Sequence, residues 1–273
     1  MMVDPNGFLS LSQGHLNTLN QCDRRFQHLF LDGLVVPTSP EQQASLDWGN
    51  RFHLLMQQRE LDLPIEVMMA QDDELKASLN KLLETAPELV PTTAASGELR
   101  QSEHRRTLAF NGYLLTAIYD LICLSPSCGE IFDWKTYPTP RKRAYLGQDW
   151  QTRLYLFLLA ETTDLPPENL SMTYWFVRSR DAQTHKLLPQ PERFNYDSLR
   201  HEQTRQDLYQ VTDRLTQQLE TLKETGTLLP KVDEAKGYCE TCPFAVRCQR
   251  AGHVSGMARL SLPELASVEE VSL

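Results

Sequence analysis

Asp120, Asp133 and Lys135 interrupt segments that otherwise read as the interior of a β-sheet, and two carboxylates beside a lysine are groups that can do chemistry. The run from Tyr113 to Leu124 is almost wholly apolar and rich in β-branched and aromatic residues. That is a central-strand pattern, yet Asp120 sits near its end. A turn through Ser125, Pro126, Ser127, Cys128 and Gly129 leads into Glu130-Ile131-Phe132-Asp133-Trp134-Lys135. The two-residue period of a strand puts Ile131, Asp133 and Lys135 on one face and Phe132 and Trp134 on the other. Charges inside a sheet persist only where they are paired or bind a metal, because leaving them unpaired is costly. Asp120 and Asp133 on hairpin partners can hold one divalent cation, and hard oxygen ligands suit magnesium or manganese. The plainer reading is a surface ion pair of Asp133 with Lys135 on an edge strand, with Asp120 accepting turn hydrogen bonds.

The elements that must hold these residues follow from caps and periodicity. Ser10 or Ser12 is predicted to open a helix carrying Leu16, Leu19, Cys22, Phe26 and Leu29 at three-to-four spacing. Ser39-Pro40-Glu41-Gln42 starts a second helix, with proline at its first position and a capping-box glutamine. That helix carries Trp48, Phe52, Leu55 and Met56 and sets Gly49 and His53 one turn apart. His53 is then either a core histidine with one hydrogen bond or an imidazole that serves a metal. A third helix is expected near 72–85, followed by strands at 99–110, 113–124 and 130–135. Glu103 interrupts the first of these strands, as an exposed residue or as another acid near the metal. A helix over 147–161 places Gln151 and Tyr155 one turn apart, with Gln148 on the same stripe. Tyr155 either packs its ring in the core or positions a substrate. A strand at 170–177 and a long amphipathic helix over 196–224 complete the pattern. Their order gives an α/β sandwich around a small mixed sheet.

With 273 residues the chain can bury a substantial core. Its net charge of −9 argues against a protein that coats nucleic acid non-specifically. Local basic clusters exist at Arg24-Arg25, Arg105-Arg106 and Arg141-Lys142-Arg143, each a solvated surface or an anion contact. The third follows Lys135 by only a proline-containing loop. No apolar stretch of about 18 residues exists and the start lacks a signal pattern, so a cytoplasmic protein with no membrane partner is expected. Six cysteines without a secretion signal favour a metal or cluster over disulfides. Cys239, Cys242 and Cys248 have tight-turn spacing, but zinc ordinarily takes two cysteine pairs, so a fourth ligand must come from elsewhere.

Taken together, these residues resemble the PD-(D/E)XK nuclease superfamily. Asp133-Trp134-Lys135 reads as the D-x-K element and Asp120 as the preceding aspartate. Gln151 and Tyr155 match the Q-x-x-x-Y motif of the RecB-like branch, and Gly49 and His53 match its G-x-x-x-H. Cys22 with Cys239, Cys242 and Cys248 resembles the iron–sulfur ligand set of the AddB nuclease domain and of CRISPR-associated RecB-like nucleases. One departure is a glycine, often found a few residues before the first aspartate, replaced here by Thr116 or Ala117. The resemblance implies a restriction-endonuclease-like α/β core with a small mixed sheet flanked by helices. It implies one nuclease domain over 1–250, with a helical part at 10–90, a catalytic core at 97–225 and a cysteine cluster at 236–250 closing onto Cys22. The weakly patterned tail, 251–273, is expected to lie outside that domain. Magnesium or manganese would sit on His53, Asp120, Asp133 and the Trp134 carbonyl. Asp120, Asp133, Lys135, Gln151 and Tyr155 would be catalytic, and Arg141, Lys142 and Arg143 would bind DNA. The four cysteines would hold a [4Fe–4S] cluster, with zinc as the alternative. The activity implied is cleavage of single-stranded or end-frayed DNA, in exonuclease mode, in repair or defence, with a helicase or complex partner. A silent DNA-binding subunit and a zinc-stabilised interaction module are the rival readings.

Overall fold

A twelve-residue strand, β3 (Tyr113–Leu124), organises the sheet of the computed structural model, which describes residues 9–90, 98–137 and 139–250. The tail expected at 251–273 lies outside the described residues. Strand β2 (Leu99–Phe110) pairs antiparallel with β3 along its length. The two are joined at Asn111-Gly112, both with positive φ (47° and 81°), as a tight hairpin turn requires. The other edge of β3 takes two partners at different ends. Strand β1 (Leu9–Leu11) runs parallel to Tyr113–Leu115, and β4 (Gly129–Lys135) runs antiparallel to Leu121–Leu124. Between them, Thr116 to Asp120 have no strand partner on that edge among the described residues.

Strand β4 continues into a parallel pair with β5 (Leu170–Phe176), and β5 pairs antiparallel with β6 (Gln190–Asn195). A parallel pair needs a crossover, here made by helices α6 (Arg143–Gln148) and α7 (Trp150–Glu161). One face of the sheet, including Ile131 and Tyr174, packs in a core with α1 (Gln13–Gln21), α7 and α8 (Ser198–Thr225). The other face, with Phe132, Trp134 and Trp175, is covered by α3 (Pro40–Glu60) and α5 (Asp73–Thr85), with the short α4 (Glu66–Ala70) between them in sequence. The expected α/β architecture with a mixed central sheet flanked by helices is therefore present. The caps hold as read. Ser39 accepts from the Gln42 N–H at 3.2 Å while Gln42 returns a bond to the Ser39 N–H at 3.0 Å.

Three local readings change. The first helix is not continuous: it stops at Cys22, whose backbone is extended (φ −168°, ψ 120°), and restarts as α2 (Asp23–Phe26) and a π-helical turn, Gln27–Leu31. Tertiary contacts override the helical stripe, since the Arg24 N–H donates to the Pro230 carbonyl at 2.9 Å. The 147–161 helix splits at Asp149, whose carboxylate caps α7 by accepting from the Gln151 N–H at 2.8 Å. Gln148 therefore does not share the Gln151 stripe. Strands β1 and β6 were not legible: β1 is three residues long, and β6 is a polar edge strand containing Pro191, with Phe194 as its buried residue.

Gly129 opens β4 where space is shortest. A Cβ there would lie 2.8 Å from Leu170 Cδ2 and 2.9 Å from Leu124 Cδ2. Gly129→Ala is expected to destabilise the fold by about 1–3 kcal/mol through overpacking, read as a lower urea midpoint. An unchanged midpoint would mean that the leucines move aside without loss.

Candidate active site

The site forms where β3 and β4 part. Their ladder ends at Leu121 opposite Phe132, so Asp120 and Asp133 are the next positions in register. The Trp134 N–H donates to Asp120 Oδ2 at 2.7 Å, so a side chain takes the place of a ladder carbonyl. The other oxygen, Oδ1, lies 3.3 Å from His53 Nδ1 on α3. That helix comes close because position 49 is glycine: a Cβ there would lie 2.9 Å from Thr136 Oγ1. On the opposite edge, Glu103 of β2 falls beside Asp120, and the ladder skips both, passing from Ser102–Leu121 to His104–Tyr119. Glu103 has φ 50°, a left-handed conformation that costs a residue with a side chain and is often found at functional sites. One ligand atom each from His53, Glu103 and Asp120 lie within 4.8 Å of one another and could hold a metal ion.

Asp133 is turned the other way and is only 3% exposed. Its Oδ1 sits 2.6 Å from Lys135 Nζ, and its Oδ2 accepts from Gln151 Nε2 at 2.5 Å. Lys135 Nζ donates in turn to Gln151 Oε1 at 2.7 Å, closing a triangle. The ammonium also stands 4.9 Å over the Tyr174 ring. Oδ1 is buried, with the lysine ammonium as its close partner. Such an oxygen, beside a His–Glu–Asp set of hard ligands, fits a divalent cation.

The charges act on one another. Burial works against a charged His53, but its hydrogen bond to Asp120 and the charges of Asp120, Asp133 and Glu103 outweigh it and raise the imidazole to about 9. Burial and the Asp120 charge push the Glu103 carboxyl up. Burial also pushes Asp133 up, with Lys135 pulling against it. Desolvation would lower Lys135, but Asp133 prevails and holds the ammonium charged.

Tyr155 packs its ring in the core, one of the two readings its position allowed. It is 3% exposed, its ring packed edge-on to Tyr119 at 5.2 Å, so it cannot offer a face to a nucleobase. Its hydroxyl lies near Gln151 and the Ile118 backbone, in the stretch of β3 that has a β2 partner on one edge only. Trp134 buries its indole on the far face of the sheet. Lys142 precedes α6, Arg141 stacks between Tyr137 and Tyr145 (5.3 and 5.1 Å), and Arg143 lies over Phe194 at 4.6 Å while paired with Glu192. Glu103, read from sequence as an exposed residue or as another acid near the metal, is brought beside Asp120 by the β2–β3 register.

Cys22, Cys239, Cys242 and Cys248 line one small cavity with Arg25 and His28. Cys22 Sγ accepts from the Val232 N–H at 3.4 Å, and Cys239 Sγ accepts from Arg250 Nη1 at 3.3 Å. His28 Nε2 stands 3.8 Å from Cys248 Sγ. The four thiols are not among the groups mutually within 4.8 Å in the described residues. Tetrahedral zinc would bring its sulfurs to about 3.8 Å, given Zn–S bonds of about 2.3 Å. Cys123 accepts from Arg100 Nη1 at 3.4 Å, and Cys128 lies in an exposed turn.

The sequence profile of the PD-(D/E)XK nuclease superfamily matches residues 10–249. Among solved structures, the chain is similar to a candidate exonuclease from Eubacterium rectale. The identity is 14%, over 94% of this chain and 93% of that one, with a TM-score of 0.51. It is also similar to SSO0001, at 13% identity over 88% and 85% of the two chains and a TM-score of 0.38. The first likeness concerns the fold. No curated protein matches the chain.

Two expectations follow from this geometry. Folded His53 titrates near 9 and an unfolded imidazole near 6.5, so its protonated form favours folding. That contribution is complete below about pH 6.5 and is lost as pH rises through about 9. In EDTA, the melting-temperature gap between the wild-type chain and His53→Gln should shrink across that window; a constant gap would exclude the Asp120–His53 pairing. Gly49→Ala should weaken manganese binding by moving α3 off Thr136, while stability changes little because alanine favours the helix by about 1 kcal/mol. Unchanged manganese affinity would show that the close approach does not set the His53 position.

Proposed function

The chain belongs to the PD-(D/E)XK nuclease superfamily, and from that premise we propose that it is a metal-dependent deoxyribonuclease of the RecB-like branch, folded as one domain over 1–250. The observation that carries the reading is the junction of two ionic groups at one strand divergence. Asp120 with His53 and Glu103 forms the first, and Asp133 with Lys135 and Gln151 the second. His53, Glu103 and Asp120, with Asp133 and the Trp134 carbonyl, would hold magnesium or manganese. When bound, the ion polarises a phosphate and lowers the pKa of water.

The remaining chemistry belongs to the side chains. Lys135 enters as a charged donor and stabilises the negative charge that develops on the phosphoryl oxygens, or orients the attacking water. Gln151 is committed at both ends of its amide, to Asp133 and to Lys135, so it fixes where the ammonium points. Tyr155 holds Gln151 from below and acts as a positioning residue rather than a stacking platform. Arg141, Lys142 and Arg143 meet the backbone phosphates, and the half-exposed Tyr145 ring suits an unpaired base. A single strand or a frayed end would therefore be cut faster than a blunt duplex, in exonuclease mode. A role in repair or defence, beside a helicase or other complex partner, fits that preference. Cys22, Cys239, Cys242 and Cys248 would carry a [4Fe–4S] clasp, with zinc as the alternative.

Asp120→Ala and Lys135→Ala should each lower manganese- or magnesium-dependent cleavage of single-stranded DNA by on the order of 1000-fold with the circular dichroism spectrum unchanged. Wild-type cleavage in either variant would sink the site, and an inert wild-type chain that still binds DNA would make this a silent DNA-binding subunit. Anaerobically purified protein should contain iron and acid-labile sulfide at about four each per chain. Stoichiometric zinc without sulfide would replace the cluster with an ion.

A further inference from the structure

Behind the acidic site, on the other side of α7, lies a cleft of about 700 Å³ between α6, α7, β6 and α8. Consecutive residues of α7 divide between the two: Gln151 faces Asp133, while Thr152 and Arg153 line the cleft. We infer that this cleft is an accessory site for unpaired nucleotides of the same strand that is cut, an inference that rests on the nuclease reading.

Its lining selects the ligand. Arg143 and Arg153 place their guanidinium carbons over aromatic rings, Phe194 at 4.6 Å and Trp150 at 4.3 Å. A guanidinium plane held this way is a platform on which a base can stack. Both are paired with carboxylates, Glu192 and Asp207, and Arg200 is paired with Asp197. The cleft is therefore nearly neutral, and concentrated phosphate is not what it is built to trap. Gln148, Gln203 and Gln206 add carboxamides, which donate and accept together and so can pair with base edges. The volume is that of an ordinary small-ligand pocket.

Position ties the cleft to the chemistry. Lys135 stands at the acidic site and Arg143 at the cleft rim, and between them Arg141 lies over the rings of Tyr137 and Tyr145. Lys135 also stands over the Tyr174 ring, and the Tyr174 hydroxyl meets Thr152 Oγ1 at 2.7 Å in the cleft wall. A strand that fills the cleft is thereby held one helix away from the scissile position.

The test compares two double variants of α8 with the same charge change. Gln203→Glu with Gln206→Glu places acids in the cleft, and Gln210→Glu with Gln217→Glu places them on the same helix outside it; all four side chains are exposed. Binding of a short fluorescein-labelled single strand is read by anisotropy in EDTA, with melting temperatures confirming both folds. The cleft pair should weaken binding about tenfold, the loss of roughly one base contact, and the outer pair less than about twofold. Equal weakening by both pairs, or none by either, overturns the proposal. Because EDTA removes cleavage from the measurement, the two readings fail separately. A wild-type chain that binds through the cleft but cuts nothing loses the nuclease reading alone. One that cuts DNA with both pairs binding alike loses the cleft alone.

Discussion

A carboxylate enclosed on all sides has to be met by donors that are themselves fixed, and Asp133 imposes that demand on the middle of this fold. Removing a charge from water costs several kcal/mol, and removing its partner afterwards leaves that cost uncompensated. Lys135 answers from the same strand, two residues on and therefore on the same face. Gln151 has to answer from the crossover, so α7 must start with that residue over the end of β4. The break at Asp149 serves this: a helix running straight from Arg143 would not place a capping carboxylate on the Gln151 N–H. Tyr174, directly across the parallel pair from Asp133, then supplies the ring beneath the ammonium. One buried charge thus fixes the strand register, the helix start and the aromatic below them.

The second requirement is an opening. Among the described residues, strand β3 is paired with β2 at every position but Asp120 and only at its ends on the other edge, and Asp120 stands at the lip of that gap. Its carboxylate satisfies the Trp134 N–H that the ladder abandons, so the divergence leaves no orphan donor there. Glu103 is brought alongside by a positive φ, and His53 by a helix that only glycine allows so near Thr136. These two exceptions to ordinary backbone preference flank the same carboxylate. Strain and close approach are tolerated where the surrounding sheet leaves no alternative.

What the sequence disclosed divides along physical lines. Charges inside apolar strands at a two-residue period were visible, because burial makes them anomalous; Asp120, Asp133 and Lys135 were found that way. Caps were equally visible, since Ser39 with Gln42 satisfies helix donors locally. The break at Cys22 was hidden because the contacts that cause it come from residues 229–232, far along the chain. The role of Tyr155 was hidden for a similar reason: periodicity places it on the Gln151 face but cannot say that Tyr119 covers its ring. Strand β6 has too few apolar residues to announce itself, as befits an edge.

The cysteine cavity and the acidic site are joined through the first helix. Residues 24–27 already hold the 229–232 segment by protein contacts alone: Arg24 Nε donates to the Leu229 carbonyl at 2.6 Å, and the Leu229 N–H donates to Gln27 Oε1 at 2.9 Å. The thiols are therefore gathered by the polypeptide, and a bound cluster would lock an arrangement that exists without it. Closing so long a loop stabilises by up to about 5 kcal/mol in the chain-entropy treatment. The same locked segment carries α1, whose Asn17 donates to Asp149 Oδ1 at 2.9 Å and accepts from the Trp150 N–H at 3.2 Å. Asp149 caps the helix that presents Gln151, and Gln151 sets Lys135. Loosening the cysteine ring would pass through Asn17 to the lysine, by a chain of hydrogen bonds and packed helices rather than by electron transfer. A clasp in this place would govern how firmly the Lys135 ammonium is held, through the contacts of α1 with Asp149 and Trp150.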